Sequence, residues 1–265
     1  MKEIYSVLIQ KLSESEDFSK EFIPWGSPIP VFGNIKDSQI ATLGINPSDK
    51  EFLDNFGREL DGNYRRFHTL RSLNIDKWSK VKDDHLRLMN DSCNNYFFRN
   101  PYGVWFNHLE KILSKTGHSF YSKNNSACHL DLVPYATSTK WANTNKNFKT
   151  KALNTFGESF AFSIRSSPIR ILILNGKTVV DTLNYLLRNE IEINEMKNWK
   201  LPRKNGVGVA GFSYRAKINK IADIKLKRDL IILGFNHNLQ SSFGVTNYVK
   251  KNISDWIFKE TTRVI

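Results

Sequence analysis

Three polar side chains of different chemistry follow short apolar runs at distant points of the chain. They are Asn46 in Gly44-Ile45-Asn46-Pro47-Ser48, Asp131 in His129-Leu130-Asp131-Leu132-Val133-Pro134, and His237 in Gly234-Phe235-Asn236-His237-Asn238. An amide donates and accepts hydrogen bonds but is no strong base; a carboxylate only accepts; a neutral imidazole donates from one nitrogen and accepts at the other. A short apolar run that stops in Gly or Pro reads as a buried strand entering a loop. In an α/β sheet, ligands sit beyond the carboxyl ends of the strands, so all three residues fall where chemistry is done. Each also has a plainer reading: Asn46 as a turn residue bonding its own backbone, Asp131 as a solvated loop acid, His237 as a loop histidine without a role.

The elements that must position them follow from periodicity. Ile4, Val7, Leu8 and Leu12 share one helical face and predict an amphipathic first helix, before a Pro-rich segment over 24–30. Strands are predicted at 39–44, from Ala127 towards Pro134, at 169–174 and at 230–233. Helices are predicted around Trp105 to Leu113, around Phe156 to Ile164, over 177–188 and over 246–258. Asn100-Pro101-Tyr102-Gly103 reads as a turn and Asn205-Gly206 as a hairpin turn, with strand-like alternation through 216–224. Residues 49–100 are polar, aromatic and weakly periodic, which predicts helices and loops above the strand ends, forming one wall of a pocket. Apolar strands separated by helices predict an α/β fold with a mainly parallel sheet covered on both faces. One domain is expected over 1–265, with an N-terminal helix in 1–24 and a core over 25–260.

With 265 residues, 40% of them hydrophobic, the chain can bury a sizeable core. A formal charge of +13 favours a polyanionic partner, DNA above all. Two cysteines, Cys93 and Cys128, exclude a four-cysteine metal or iron–sulfur site, so neither metal nor cofactor is expected. The N-terminus lacks a signal-peptide core and no apolar stretch is long enough to cross a membrane, which leads to the expectation of a cytoplasmic protein without membrane association, and a monomer is expected. No Gly-x-Gly-x-x-Gly follows the first predicted strand, which disfavours a dinucleotide-binding enzyme.

From Ser27-Pro28-Ile29-Pro30-Val31-Phe32-Gly33-Asn34 through Ser48, the chain resembles the opening of the uracil-DNA glycosylase superfamily. Gly44-Ile45-Asn46-Pro47-Ser48 is similar to the first catalytic motif of its mismatch-specific and single-strand-selective branches. The resemblance implies a three-layer α/β/α sandwich with a central, mainly parallel four-stranded sheet. It also implies a flipped nucleotide, since a base inside a duplex is out of reach. Asn46 would hold the attacking water near the anomeric carbon, and His237, at the place of a family His-Pro-Ser type loop, would donate a hydrogen bond to the base. His237 matches there; the Pro and Ser do not. Leu239 or Gln240 would wedge into the gap left by the flipped base, and Phe56, Phe67 and Tyr102 are candidates for stacking on it.

Asp131 departs from the family pattern, where single-strand-selective members carry an Asn three residues before the Pro. A carboxylate faces the uracil O4 repulsively, whereas the N4 amino donor of cytosine suits it. The expected activity is therefore that of a monofunctional DNA glycosylase acting on a modified cytosine in foreign, phage-type DNA, because removal of ordinary cytosine would damage the host's own chromosome. A uracil-DNA glycosylase of base excision repair and a non-catalytic nucleic-acid binder of the same fold are the alternatives.

Overall fold

The computed structural model describes residues 1–14, 21–99, 102–122, 126–188, 190–203, 206–240 and 244–265. Its strands are β1 (Val31–Phe32), β2 (Ile40–Gly44), β3 (Ala127–Asp131), β4 (Ile171–Asn175), β5 (Glu192–Glu195), β6 (Phe212–Ile221) and β7 (Ile224–Phe235). Its α-helices are α1 (Lys2–Glu14), α2 (Asp83–Asn94), α3 (Tyr96–Arg99), α4 (Gly103–Leu113), α5 (Lys146–Arg165), α6 (Lys177–Leu186) and α7 (Asn247–Thr261).

The fold is α/β, but its sheet is larger and more mixed than the four-stranded one expected. Among the described residues, seven strands run in the order β1-β3-β2-β4-β7-β6-β5. The contiguous pairs β3·β2, β2·β4 and β4·β7 are parallel, while β1 and the β6–β5 pair add antiparallel flanks. The parallel centre follows from the apolar runs: every residue of β3 and β4 is buried, as is the second half of β7. A strand covered on both faces needs side chains without polar ends in both directions.

The flanks escaped the sequence reading for a local reason. β5 is exposed along its length, and in β6 and early β7 buried residues interleave with Lys and Arg, so no apolar run marks them. The alternation read as one strand over 216–224 is the end of β6 and a two-residue hairpin turn. Ala222 and Asp223 both hold positive φ, and Ile221 pairs with Ile224 across them. The reversal expected at Asn205-Gly206 is closed by mutual backbone bonds of Leu201 and Val209, with Gly206 at φ +80°. Asn205 itself, the Asn100-Pro101 half of the other expected turn, and Ser241-Ser242 lie outside the described residues.

The strand order reverses direction at β2: the crossover to β3 runs one way, and those from β3 to β4 and from β4 to β7 run the other. Right-handed connections then place α4 and α5 on opposite faces. Packing agrees, since α4 contacts α7, whereas α5 contacts α1 and α6. A reversal of this kind opens a crevice at the carboxyl ends of the central strands. No helix among the described residues is long and apolar enough to cross a membrane.

Candidate functional site

That crevice holds a cavity of about 370 Å³, within the size range of small-molecule sites, roughly 300–1,000 Å³. Every strand of the parallel centre contributes to it: Gly44 and Asn46 at and beyond the end of β2, Asp131 at the end of β3, Asn175 at the end of β4, and Asn238 after β7. Phe32, Tyr102, Trp105 and Phe106 form an aromatic wall, and the segment after β3 adds Thr137, Lys140 and Trp141.

Asn46 stands where the sequence placed it, and its amide orientation is determined by its neighbours. Nδ2 donates to the carbonyls of Pro47 (2.9 Å) and Tyr135 (3.3 Å) and to the Thr137 hydroxyl (3.2 Å). Both carbonyls can only accept, and the Thr137 hydroxyl spends its own proton on the Thr139 carbonyl. The nitrogen is therefore the end tied into the protein, and the carbonyl oxygen Oδ1 is left to accept from a molecule in the cavity.

Asp131 is likewise in the wall, 5% exposed. Its place is built by the pleat. Thr42 pairs with His129 and Gly44 with Asp131 in the β2·β3 register, and the period of two puts all four on one face. The Thr42 hydroxyl and His129 Nδ1 are 2.7 Å apart, which fixes the ring so that Nε2 lies 3.6 Å from Asp131 Oδ1. The missing side chain of Gly44 supplies the space: a Cβ there would stand 2.3 Å from Asp131 Oδ1 and 2.9 Å from His129 Nε2. Trp105 and Phe106 close edge-on against the same imidazole.

His237 is the main correction. It is 2% exposed and absent from the cavity wall, and its Nε2 bonds the Trp199 carbonyl at 2.8 Å. Burial pushes its pKa below the usual histidine value, so the ring is neutral and its single N–H is spent on that carbonyl. The loop turns one residue further, and Asn238 reaches the cavity in its place. Gly176 allows this approach: it holds φ +99°, and a Cβ on it would stand 2.9 Å from the Cβ of Asn238.

Of the aromatic candidates, only Tyr102 lines the cavity. Phe67 is a core residue stacked on Tyr96 at 5.4 Å, and Phe56 is 83% exposed, beneath the Arg58 guanidinium. Neither wedge candidate is free to enter DNA as placed. Leu239 is buried, with its backbone N–H on Asn175 Oδ1, and Gln240 is held between the Asn175 amide and the Trp105 carbonyl.

The sequence reading missed Glu51. It lines the cavity at 2% exposure. Oε1 accepts from the Tyr96 hydroxyl at 3.0 Å, and Oε2 lies 3.6 Å from Arg66 Nη1, whose guanidinium also sits over the Tyr102 ring. Burial raises the Glu51 carboxyl to about 7; Arg66 and Tyr96 oppose the rise, and the Asp131 charge adds a smaller push upward. The consequence for stability has a definite sign. Between the ordinary value of 4.5 and about 7, the folded chain holds a proton that the unfolded chain has released, so stability falls as pH rises through this window. Glu51→Gln removes the penalty, worth about 3 kcal/mol at its upper end. The melting temperature of the variant should therefore gain on wild type by several degrees between pH 5 and pH 8, read by thermal denaturation. An unchanging gap would show that Glu51 ionises normally.

No protein-family model and no curated protein matches the chain. Among the described residues, no group of three or more His, Cys, Asp or Glu side chains is arranged to hold a metal ion.

Proposed function

We propose that the protein is a DNA glycosylase of the uracil-DNA glycosylase type, with an α/β/α core, which hydrolyses the N-glycosidic bond of a flipped nucleotide and leaves an abasic site. The observation that carries this reading is the Asn46 amide in the cavity wall, its nitrogen tied down so that Oδ1 is left as the acceptor, in a cavity whose wall also includes the buried carboxylate of Asp131. Oδ1 accepts a hydrogen bond from a water and holds it towards the anomeric carbon; positioning of this kind supplies much of a hydrolytic rate without a strong base. Asp131 accepts from the exocyclic amino group of a cytosine-type base, and Tyr102 or Trp105 offers a ring face or edge to it. A base substituted at its 5-position is the preferred substrate, and the setting is defence against foreign DNA.

The charge of +13 supports DNA as the partner, with the exposed Lys140 at the cavity rim suited to a phosphate. Affinity for plain duplex should fall about 10³-fold between roughly 50 and 200 mM salt if some six phosphates are contacted. A flat salt response, measured by fluorescence anisotropy, would contradict the DNA reading.

The activity is tested with single- and double-stranded oligonucleotides carrying one cytosine, one 5-hydroxymethylcytosine, one more bulkily substituted cytosine or one uracil, followed by alkaline cleavage of abasic sites. Release of a substituted cytosine supports the proposal. Release of uracil alone moves the assignment to repair, and release of no base leaves a nucleic-acid binder.

A further inference from the structure

Resting on the glycosylase reading, we propose that Glu51 is the general acid of the site, carrying the proton that the departing base takes up. With His237 spent on the Trp199 carbonyl, the donor expected from the loop after β7 is missing from the cavity. A cytosine-type base is a poor leaving anion and departs far more readily once protonated, so a site built for it needs an acid.

Glu51 meets the geometric demands. It sits one short turn beyond Asn46 in the same cavity wall, and its Oε2 is fully buried with no hydrogen bond of normal length among the described residues, the Arg66 guanidinium standing off at 3.6 Å. Burial keeps the proton on, against the pull of Arg66 and Tyr96 and with a small push from Asp131. Arg66 faces it from the segment after Tyr64, Tyr96 from α3 and Asp131 from β3; Asp49 and Lys50 stand on its own turn. Burial outweighs Arg66, and the carboxyl titrates at about 7, which suits an acid working near neutral pH. His129 and Lys140 share the cavity, but the His129 ring is engaged by Thr42 and abuts Asp131, and Lys140 is on the exposed rim.

The step balances. The C1′–N bond breaks with its electron pair passing to the base, and the Glu51 proton goes to the base. The oxygen of the water held by Asn46 bonds to C1′, and the surplus proton of that water returns to the Glu51 carboxylate.

The test uses single-turnover release from whichever oligonucleotide of the panel the wild type cleaves. The wild-type rate should fall as pH rises through about 7. Glu51→Gln should lose about 10²-fold or more and lack this limb, while binding the same oligonucleotide normally. Tyr96→Phe removes a hydrogen bond that lowers the carboxyl pKa and should move the limb to higher pH. Carbon NMR of glutamate-labelled wild type reads the proton directly, whatever the variants do: one carboxyl should titrate near 7. Wild-type release with Glu51→Gln within about threefold and its pH limb intact, or no glutamate carboxyl titrating well above the ordinary range, overturns the proposal. Wild type that releases no base from any oligonucleotide overturns the glycosylase reading and this role with it, an outcome distinct from a working wild type matched by Glu51→Gln.

Discussion

Asn46→Ala should reduce single-turnover base release by roughly 10³-fold or more while DNA affinity stays within about threefold, because the residue acts on water and touches no phosphate. The size follows from what is removed. Nδ2 is committed to Pro47, Tyr135 and Thr137, which leaves Oδ1 as the hydrogen-bonding atom of this side chain available to a water. Truncation therefore removes the acceptor that orients the water and frees the loop that Nδ2 pins to the segment after β3. Asn46→Asp separates the two losses. The carboxylate keeps an acceptor but turns an oxygen onto the Pro47 and Tyr135 carbonyls, so it should recover little unless the side chain is protonated. Release by Asn46→Ala within about threefold of wild type would remove the residue from the mechanism.

Asn46 was legible in the sequence because its signal is local: an apolar run, a glycine and a proline fix a strand end, and the next polar side chain must lie in the crevice. Asp131 was legible for the same reason. Glu51 was hidden because nothing near it in sequence buries it. Ser48-Asp49-Lys50-Glu51 has the spelling of a helix start with a capping box, in which the glutamate would turn back to the backbone in solvent. Ser48 does cap a short turn, accepting from the Lys50 N–H, but the carboxyl goes to Tyr96, 45 residues away. A buried acid built from two distant segments leaves no periodic trace. His237 shows the converse error. Its position after the last strand was read correctly, but whether its ring or that of a neighbour enters the cavity depends on one turn of the loop. That turn is set by Asn236, whose side chain bonds the Phe212 N–H and the Ala210 carbonyl, and by Gly176; neither contact is visible in the local spelling. The central strands were found because burial on both faces writes an apolar run, whereas the half-exposed β6 and β5 hide among lysines and arginines.

The second large effect expected is a change of base preference in Asp131→Asn. The two side chains have the same shape, and Gly44 leaves room for either, so the substitution changes hydrogen-bonding capacity and charge with little change in packing. At 5% exposure, Asp131 is shielded from water that could repair a mismatch, and a buried unpaired polar group costs about 1–3 kcal/mol. With the carboxylate, the amino group of a cytosine-type base finds an acceptor, and the O4 of uracil meets a second acceptor. With the amide, the uracil O4 gains a donor, and the amino group is met well by only one of the two ends. Gain on one base and loss on the other act together, so the ratio of kcat/KM for cytosine-type over uracil should fall by about 10²-fold. His129 limits the reversal: with its Nδ1 beside the Thr42 hydroxyl and its Nε2 facing residue 131, an N–H on Nε2 selects the amide oxygen as its neighbour and turns the amide nitrogen to the base, whereas a bare Nε2 would draw the nitrogen to itself. Thr42→Val removes the hydroxyl partner of Nδ1 and should weaken that choice, giving the double variant a smaller shift than Asp131→Asn alone. Competition between the two bases in one oligonucleotide mixture measures the ratio, and a value unchanged within about threefold in Asp131→Asn would mean that this carboxylate does not read the base.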